Sequence, residues 1–153
     1  IEGEILSQFE ANDWIWDTPV GYDNILYVAD LSGWVYALSI TNGLEMLWQV
    51  QVSERGIRPS PIVTEDFVIV ANRDGRIFWL DRANNGQPIM VEGEDGLVPL
   101  QRDVDAEVLS DMVLVDFEDE NDADLLIVST TNKGRLLIAF TINDGERRWG
   151  YNR

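Results

Sequence analysis

At 153 residues the chain has the length of a single domain, and its 45% hydrophobic and 10% aromatic content excludes intrinsic disorder. With 28 acidic residues against 11 basic ones the formal net charge is -17. A field of that sign excludes nucleic acid and favours cations, basic protein surfaces, solubility or salt adaptation. Histidine and cysteine are both absent, which excludes imidazole bases, Ser-His-Asp and Cys-His mechanisms, disulfides and thiolate metal sites.

The chain opens on a short apolar stretch, Glu4 to Phe9, that reads as an outer strand. Three stretches then superimpose: Ile25 to Trp48, Phe67 to Met90, and Leu125 to Trp149. Each begins with a β-branched strand and a tight polar turn ending in glycine (Ser32-Gly33, Asp74-Gly75, Lys133-Gly134). A second apolar strand and a second glycine turn follow (Asn42-Gly43, Asn85-Gly86, Asp144-Gly145), then an outer strand. Glycine and asparagine tolerate the positive φ that such hairpin turns require. Thr18-Pro19-Val20 and Ser60-Pro61-Ile62 stand ahead of the first two stretches as starts of innermost strands, where proline's missing N–H costs little.

Each unit is thus a four-stranded antiparallel meander of about 40 residues, the length of a propeller blade. The strands are apolar on consecutive residues, as in Val35-Tyr36-Ala37-Leu38. A half-wet sheet would alternate; stacked blades bury both faces. The predicted fold is therefore all-β: a partial β-propeller of three blades, residues 11–52, 57–93 and 105–153. Residues 1–10 are the extra outer strand of a preceding blade. Because closed rings usually hold four to eight blades, either a longer chain or a second copy is expected to complete the ring.

The segment GWVYALSITNGLEMLW resembles the tryptophan-docking repeat of PQQ-type (quinoprotein-like) propellers, where a Gly-x-Val-Tyr-Ala-Leu strand leads to Thr-Gly and then to a tryptophan. The resemblance implies that this tryptophan docks between blades, with Trp48 and Trp149 in its place. Met90 takes that place in the second unit and Ser7 in the outer-strand fragment. It also implies scaffold relatives and dehydrogenase relatives. No catalytic residue maps onto this chain, and PQQ is not expected to be bound. A second resemblance lies at DFEDENDAD, Asp116 to Asp124, which is similar to the calcium loop of integrin-type (FG-GAP) repeats. It implies Asp116, Glu118, Glu120 and Asp124 as side-chain ligands and Asp122 as a carbonyl ligand. Calcium takes six to eight oxygens from such a loop; a solvated acidic hairpin is the plainer alternative.

Two further groups are candidates for a ligand surface. Trp14 and Trp16, with Tyr22 beyond, lie two residues apart and so share a strand face. Packing between blades is the ordinary use of tryptophan in such a repeat, and burial is the first expectation for both. Arg55, Arg58, Arg73 and Arg76 are expected near one rim. They suit bidentate recognition of an anion or carboxylate, or else salt bridges to Glu54, Asp74 and Asp81. The expected function is a non-catalytic, extracytoplasmic interaction domain whose partner is a protein, or the rest of a longer or membrane-associated protein. A quinoprotein dehydrogenase segment and a calcium-stabilised adhesion module are the alternatives.

Overall fold

In the computed structural model, residues 3–41, 43–116 and 124–151 are described. Three four-stranded antiparallel sheets follow one another along the chain. Blade 1 is β1 (Val20–Tyr22), β2 (Ile25–Ala29), β3 (Trp34–Ser39) and β4 (Glu45–Gln51), paired in that order. Blade 2 begins with β5 (Ile62–Val63), β6 (Phe67–Ala71) and β7 (Arg76–Asp81). A separate hairpin of β8 (Met90–Gly93) and β9 (Gly96–Pro99) then intervenes. Blade 2 closes with β10 (Gln101–Asp103) against β7. Blade 3 is β11 (Val113–Val115), β12 (Leu125–Ser129), β13 (Leu137–Thr141) and β14 (Arg147–Tyr151).

Both faces of blade 2 are buried, as its unbroken apolar strands require. Val68, Val70 and Leu80 face blade 1 and meet Tyr27, Ala29, Val35 and Ala37. Their strand neighbours Ile69, Ala71 and Ile77 face blade 3 and meet Leu126, Val128, Ile138 and Phe140. Alternate residues of one strand thus build two different cores.

Two boundaries differ from expectation. Residues 4–9 form no strand, because an outer strand pairs with the third strand of its own blade and none of the described residues supplies one. The segment instead covers the free face of blade 1. Phe9 packs edge-on to Tyr36 at 5.1 Å, and the Ser7 hydroxyl accepts the Leu44 N–H at 2.9 Å. The second blade does not end near residue 93, because its outer strand is interrupted by the β8–β9 hairpin and resumes at Gln101. Met90 therefore does not take the place of Trp48. It lies on the inserted hairpin, 47% exposed.

Candidate functional site

The segments that lead into the innermost strands converge at one end of the arc. Each is tied to the β-turn of its own blade by the same bond. The amides of Leu31, Arg73 and Thr131 donate to the carbonyls of Trp14, Gly56 and Glu107, at 3.0, 3.0 and 3.1 Å. A second series runs from blade to blade. The Thr18 amide donates to Ser60 Oγ at 3.1 Å, and the Ser60 amide donates to Asp111 Oδ1 at 2.7 Å. These three residues occupy equivalent places before β1, β5 and β11, so at each step the side-chain oxygen of one blade, Ser60 or Asp111, accepts the backbone amide of the blade before it.

Asp30 fixes the first turn. Its buried carboxylate accepts the Ser32 and Trp34 amides at 2.9 and 3.0 Å and the Tyr36 hydroxyl at 2.7 Å. Burial works against its charged form, but the bonds from Tyr36, Trp34 and Ser32 outweigh it and hold the carboxyl below the usual range. The Tyr36 hydroxyl is pushed up to about 12, chiefly by burial, with its bond to Asp30 adding to the effect.

On this rim the two indoles are open to solvent: Trp14 is 75% and Trp16 60% exposed. The burial expected of tryptophan in this repeat does not hold for either. Arg58, from the lead-in of blade 2, stacks its guanidinium 5.2 Å from the centre of the Trp16 ring. Together with Asp17, Thr18, Ser60, Ser110 and Asp111 they line a shallow cavity. Burial raises the Asp17 carboxyl to about 6; the Ala29 amide lowers it, and the carboxylates of Asp111 and Asp30 add to the rise. One Asp17 oxygen accepts the Ala29 amide at 2.9 Å, while the other is buried without a hydrogen bond.

The remaining arginines lie on the same rim but face this chain's own carboxylates. Arg55 pairs with Asp74 at 3.1 Å, Arg73 with Glu107 at 3.7 Å and Arg76 with Asp103 at 4.0 Å. Glu54 and Asp81, expected as partners, form none of these pairs. Such exposed pairs contribute little stability, but they leave Arg58 as the one arginine of the four in the cavity beside Trp16. Of the acidic loop, Glu118, Glu120 and Asp122 lie outside the described residues. Asp116 and Asp124 line an open depression with Glu65 and Asp66 of blade 2.

The blades also meet through aromatic rings. The Trp48 ring lies on the turn glycine of blade 2: a Cβ on Gly86 would stand 2.6–2.9 Å from its carbons. Ser7 stands in the same relation to Gly43 of blade 1. At the next interface the indole on the turn glycine, Gly145, belongs to Trp79, a residue not singled out in the sequence. Trp79 is fully buried, and its Nε1–H donates to the Ile142 carbonyl at 2.8 Å. Trp149 is 45% exposed.

Comparison with known proteins agrees with this architecture. Residues 2–88 match the model of the family described as outer membrane protein assembly factor BamB. Among curated proteins, no significant sequence match was found. Among solved structures, BamB from Moraxella catarrhalis superimposes with a TM-score of 0.69 at 20% identity, over 94% of this chain and 38% of its own. A europium-containing methanol dehydrogenase gives 0.68 at 19% identity, over 96% of this chain and 26% of its own. The quinohemoprotein alcohol dehydrogenase from Comamonas testosteroni gives 0.63 at 18%, over 91% and 21%. The chain thus spans well under half the length of these proteins, and at such identities the likeness is one of fold. More than half of the sequence matching one family model, and a repeated four-stranded blade to go with it, place the chain in the PQQ-repeat β-propeller family of the outer membrane protein assembly factor BamB.

Proposed function

We propose that this is a non-catalytic, extracytoplasmic propeller domain that binds protein through the rim bearing Trp14, Ile15, Trp16 and Arg58. The observation that supports it most is the exposure of Trp14 and Trp16 at 75% and 60% in a fold whose Trp48 and Trp79 are packed between blades. Exposed aromatic anchors beside an arginine are the composition of binding hot spots, and an exposed apolar cluster on a soluble surface points to a partner. The family's description as an assembly factor supports a protein partner. Inter-blade docking by Trp48 and Trp79 is, in this reading, what keeps the rim rigid.

The rival reading is a segment of a quinoprotein dehydrogenase, which the dehydrogenase neighbours favour on fold alone. Site-specific photocrosslinkers placed at positions 14 and 16, and at Glu45 as a control, separate the two in the cell of origin. Protein adducts from 14 and 16 but not 45 are expected. Dye-linked alcohol or aldehyde oxidation after adding PQQ and calcium, with no adducts, would overturn the proposal.

A further inference from the structure

The insertion in blade 2 creates a surface that neither neighbouring blade has. In blades 1 and 3 the outer strand carries one unpaired residue beside the third strand, Leu47 and Arg148. In blade 2, Pro88 lies opposite Leu80 and Leu100 is bonded to Trp79. The single bulged residue has become the stretch 89–99. Among the described residues its hairpin strands pair only with each other, so it offers unpaired edges.

The root of the hairpin is fixed. Ile89 and Val91 pack against the core between blades 2 and 3. The Ile89 amide donates to the Trp79 carbonyl at 2.9 Å and the Leu100 amide to the Ile89 carbonyl at 2.6 Å. Beyond the root, Leu97 is 68%, Met90 47% and Val98 43% exposed. The hairpin's charged residues, Glu92, Glu94 and Asp95, are all acidic, and no Lys or Arg occurs from Ala83 to Gln101. Among the described residues none of these three carboxylates is in an ion pair. An apolar groove lies beside the root, walled by Val50, Val52, Phe78, Leu80, Pro88 and Pro99.

We infer that the β8–β9 hairpin docks an extended basic segment of another protein, one that carries apolar side chains together with lysine or arginine. An unpaired strand edge offers main-chain hydrogen bonds to such a segment. Its apolar side chains meet Leu97, Met90 and the groove, while its cations reach Glu92, which lies across from Leu97 on the same face, and Glu94 and Asp95 at the turn. This surface is separate from the Trp14–Trp16 rim, and either can fail without the other.

The test uses a short fluorescent peptide of alternating valine and lysine, with Val-Glu and Ser-Lys peptides as controls. Anisotropy is read at physiological salt on the native protein, on the Met90→Ser/Leu97→Ser variant and on the Glu92→Gln/Glu94→Gln variant. All four substituted side chains are exposed, and circular dichroism checks that the fold is retained. The Val-Lys peptide is expected to bind about tenfold more tightly than Ser-Lys, and each variant to lose about tenfold of that affinity. Equal binding of Ser-Lys, undiminished binding by the variants, or no binding of Val-Lys at millimolar concentration would overturn the inference. The first two outcomes would assign any binding to the net charge of the whole surface.

Discussion

Blades 1 and 2 each place an indole on the turn glycine of the blade that follows, but from different strands. In blade 1 the indole is Trp48 of the outer strand, opposite the small Ala37 of the third strand. In blade 2 the large and small positions are exchanged. Trp79 of the third strand carries the ring, and Leu100, only 1% exposed, stands where the tryptophan would be. The inter-blade space is filled either way, which is what close packing demands. The exchange leaves blade 2's outer strand free of its tryptophan, and that is the strand that carries the inserted hairpin.

The largest effect expected from this comparison is at Trp79. Trp79→Ala should lower unfolding free energy by about 3–5 kcal/mol, and Trp48→Ala by an amount near the lower end of that range. Urea titration followed by circular dichroism measures both. The double variant Trp79→Ala/Leu100→Trp restores the arrangement of blade 1 and should recover more than half of the loss. A double variant no more stable than Trp79→Ala would show that the two strands are not interchangeable carriers.

The two receiving glycines sharpen the same point. Gly86 and Gly145 both have positive φ, 69° and 64°, so alanine at either is strained by about 1 kcal/mol. At Gly86 the added Cβ would also press on the Trp48 ring at 2.6–2.9 Å, whereas at Gly145 its closest contact, with Trp79, is 3.3 Å. Gly86→Ala is therefore expected to cost about 2–4 kcal/mol and Gly145→Ala about 1–2 kcal/mol. In a Trp48→Ala background the cost of Gly86→Ala should fall to the backbone strain alone, a coupling that a double-mutant cycle reads directly.

Much of this could be read from sequence because the repeat is regular. Glycine turns, proline strand starts and unbroken apolar strands locate three blades and imply burial on both faces. What escaped was non-periodic. Pro88-Ile89-Met90 directly follows a glycine turn and looks like an outer strand, so the insertion was hidden by residues equally suited to either strand. Trp79 sits in a strand position filled by Ala37 and Ala139 in the other blades, and a residue out of register with its repeat gives no signal of its role. The rim was half visible. Trp16 and Arg58 each stood out, but their contact joins two blades, and the order Thr18, Ser60, Asp111 emerges only once the blades are stacked.

A smaller effect follows from the lead-in segments, where blade 1 has Asp17 at the place blade 2 fills with Pro59. Burial raises the Asp17 carboxyl from 3.8 to about 6, so the folded chain holds this proton more tightly than the unfolded one. Stability should therefore fall as pH rises from about 4 to about 6, and the full penalty persists above that. Asp17→Asn keeps the acceptor for Ala29 and removes the charge. After discounting for partial exposure it should stabilise by about 1 kcal/mol at pH 7.5 and leave pH 4 unchanged. Urea unfolding between pH 4 and pH 8 would show a flatter profile for the variant; parallel profiles would remove Asp17 as the cause.

The smallest predicted effect discriminates between the two blades most sharply. If the second blade repeated the first, Met90 would fill the inter-blade space, and removing its side chain would cost about 2–5 kcal/mol, as for a buried methionine. On the inserted hairpin it is half exposed, opposite Pro99 of β9 and outside the packed interface that Leu100 and Trp79 fill. Met90→Ser should then shift unfolding by less than about 0.5 kcal/mol, while Leu100→Ala costs about 2–4 kcal/mol. Urea midpoints of the two single variants, measured side by side, decide between the arrangements: a large loss at residue 90 with a small one at 100 would return the outer strand of blade 2 to the hairpin.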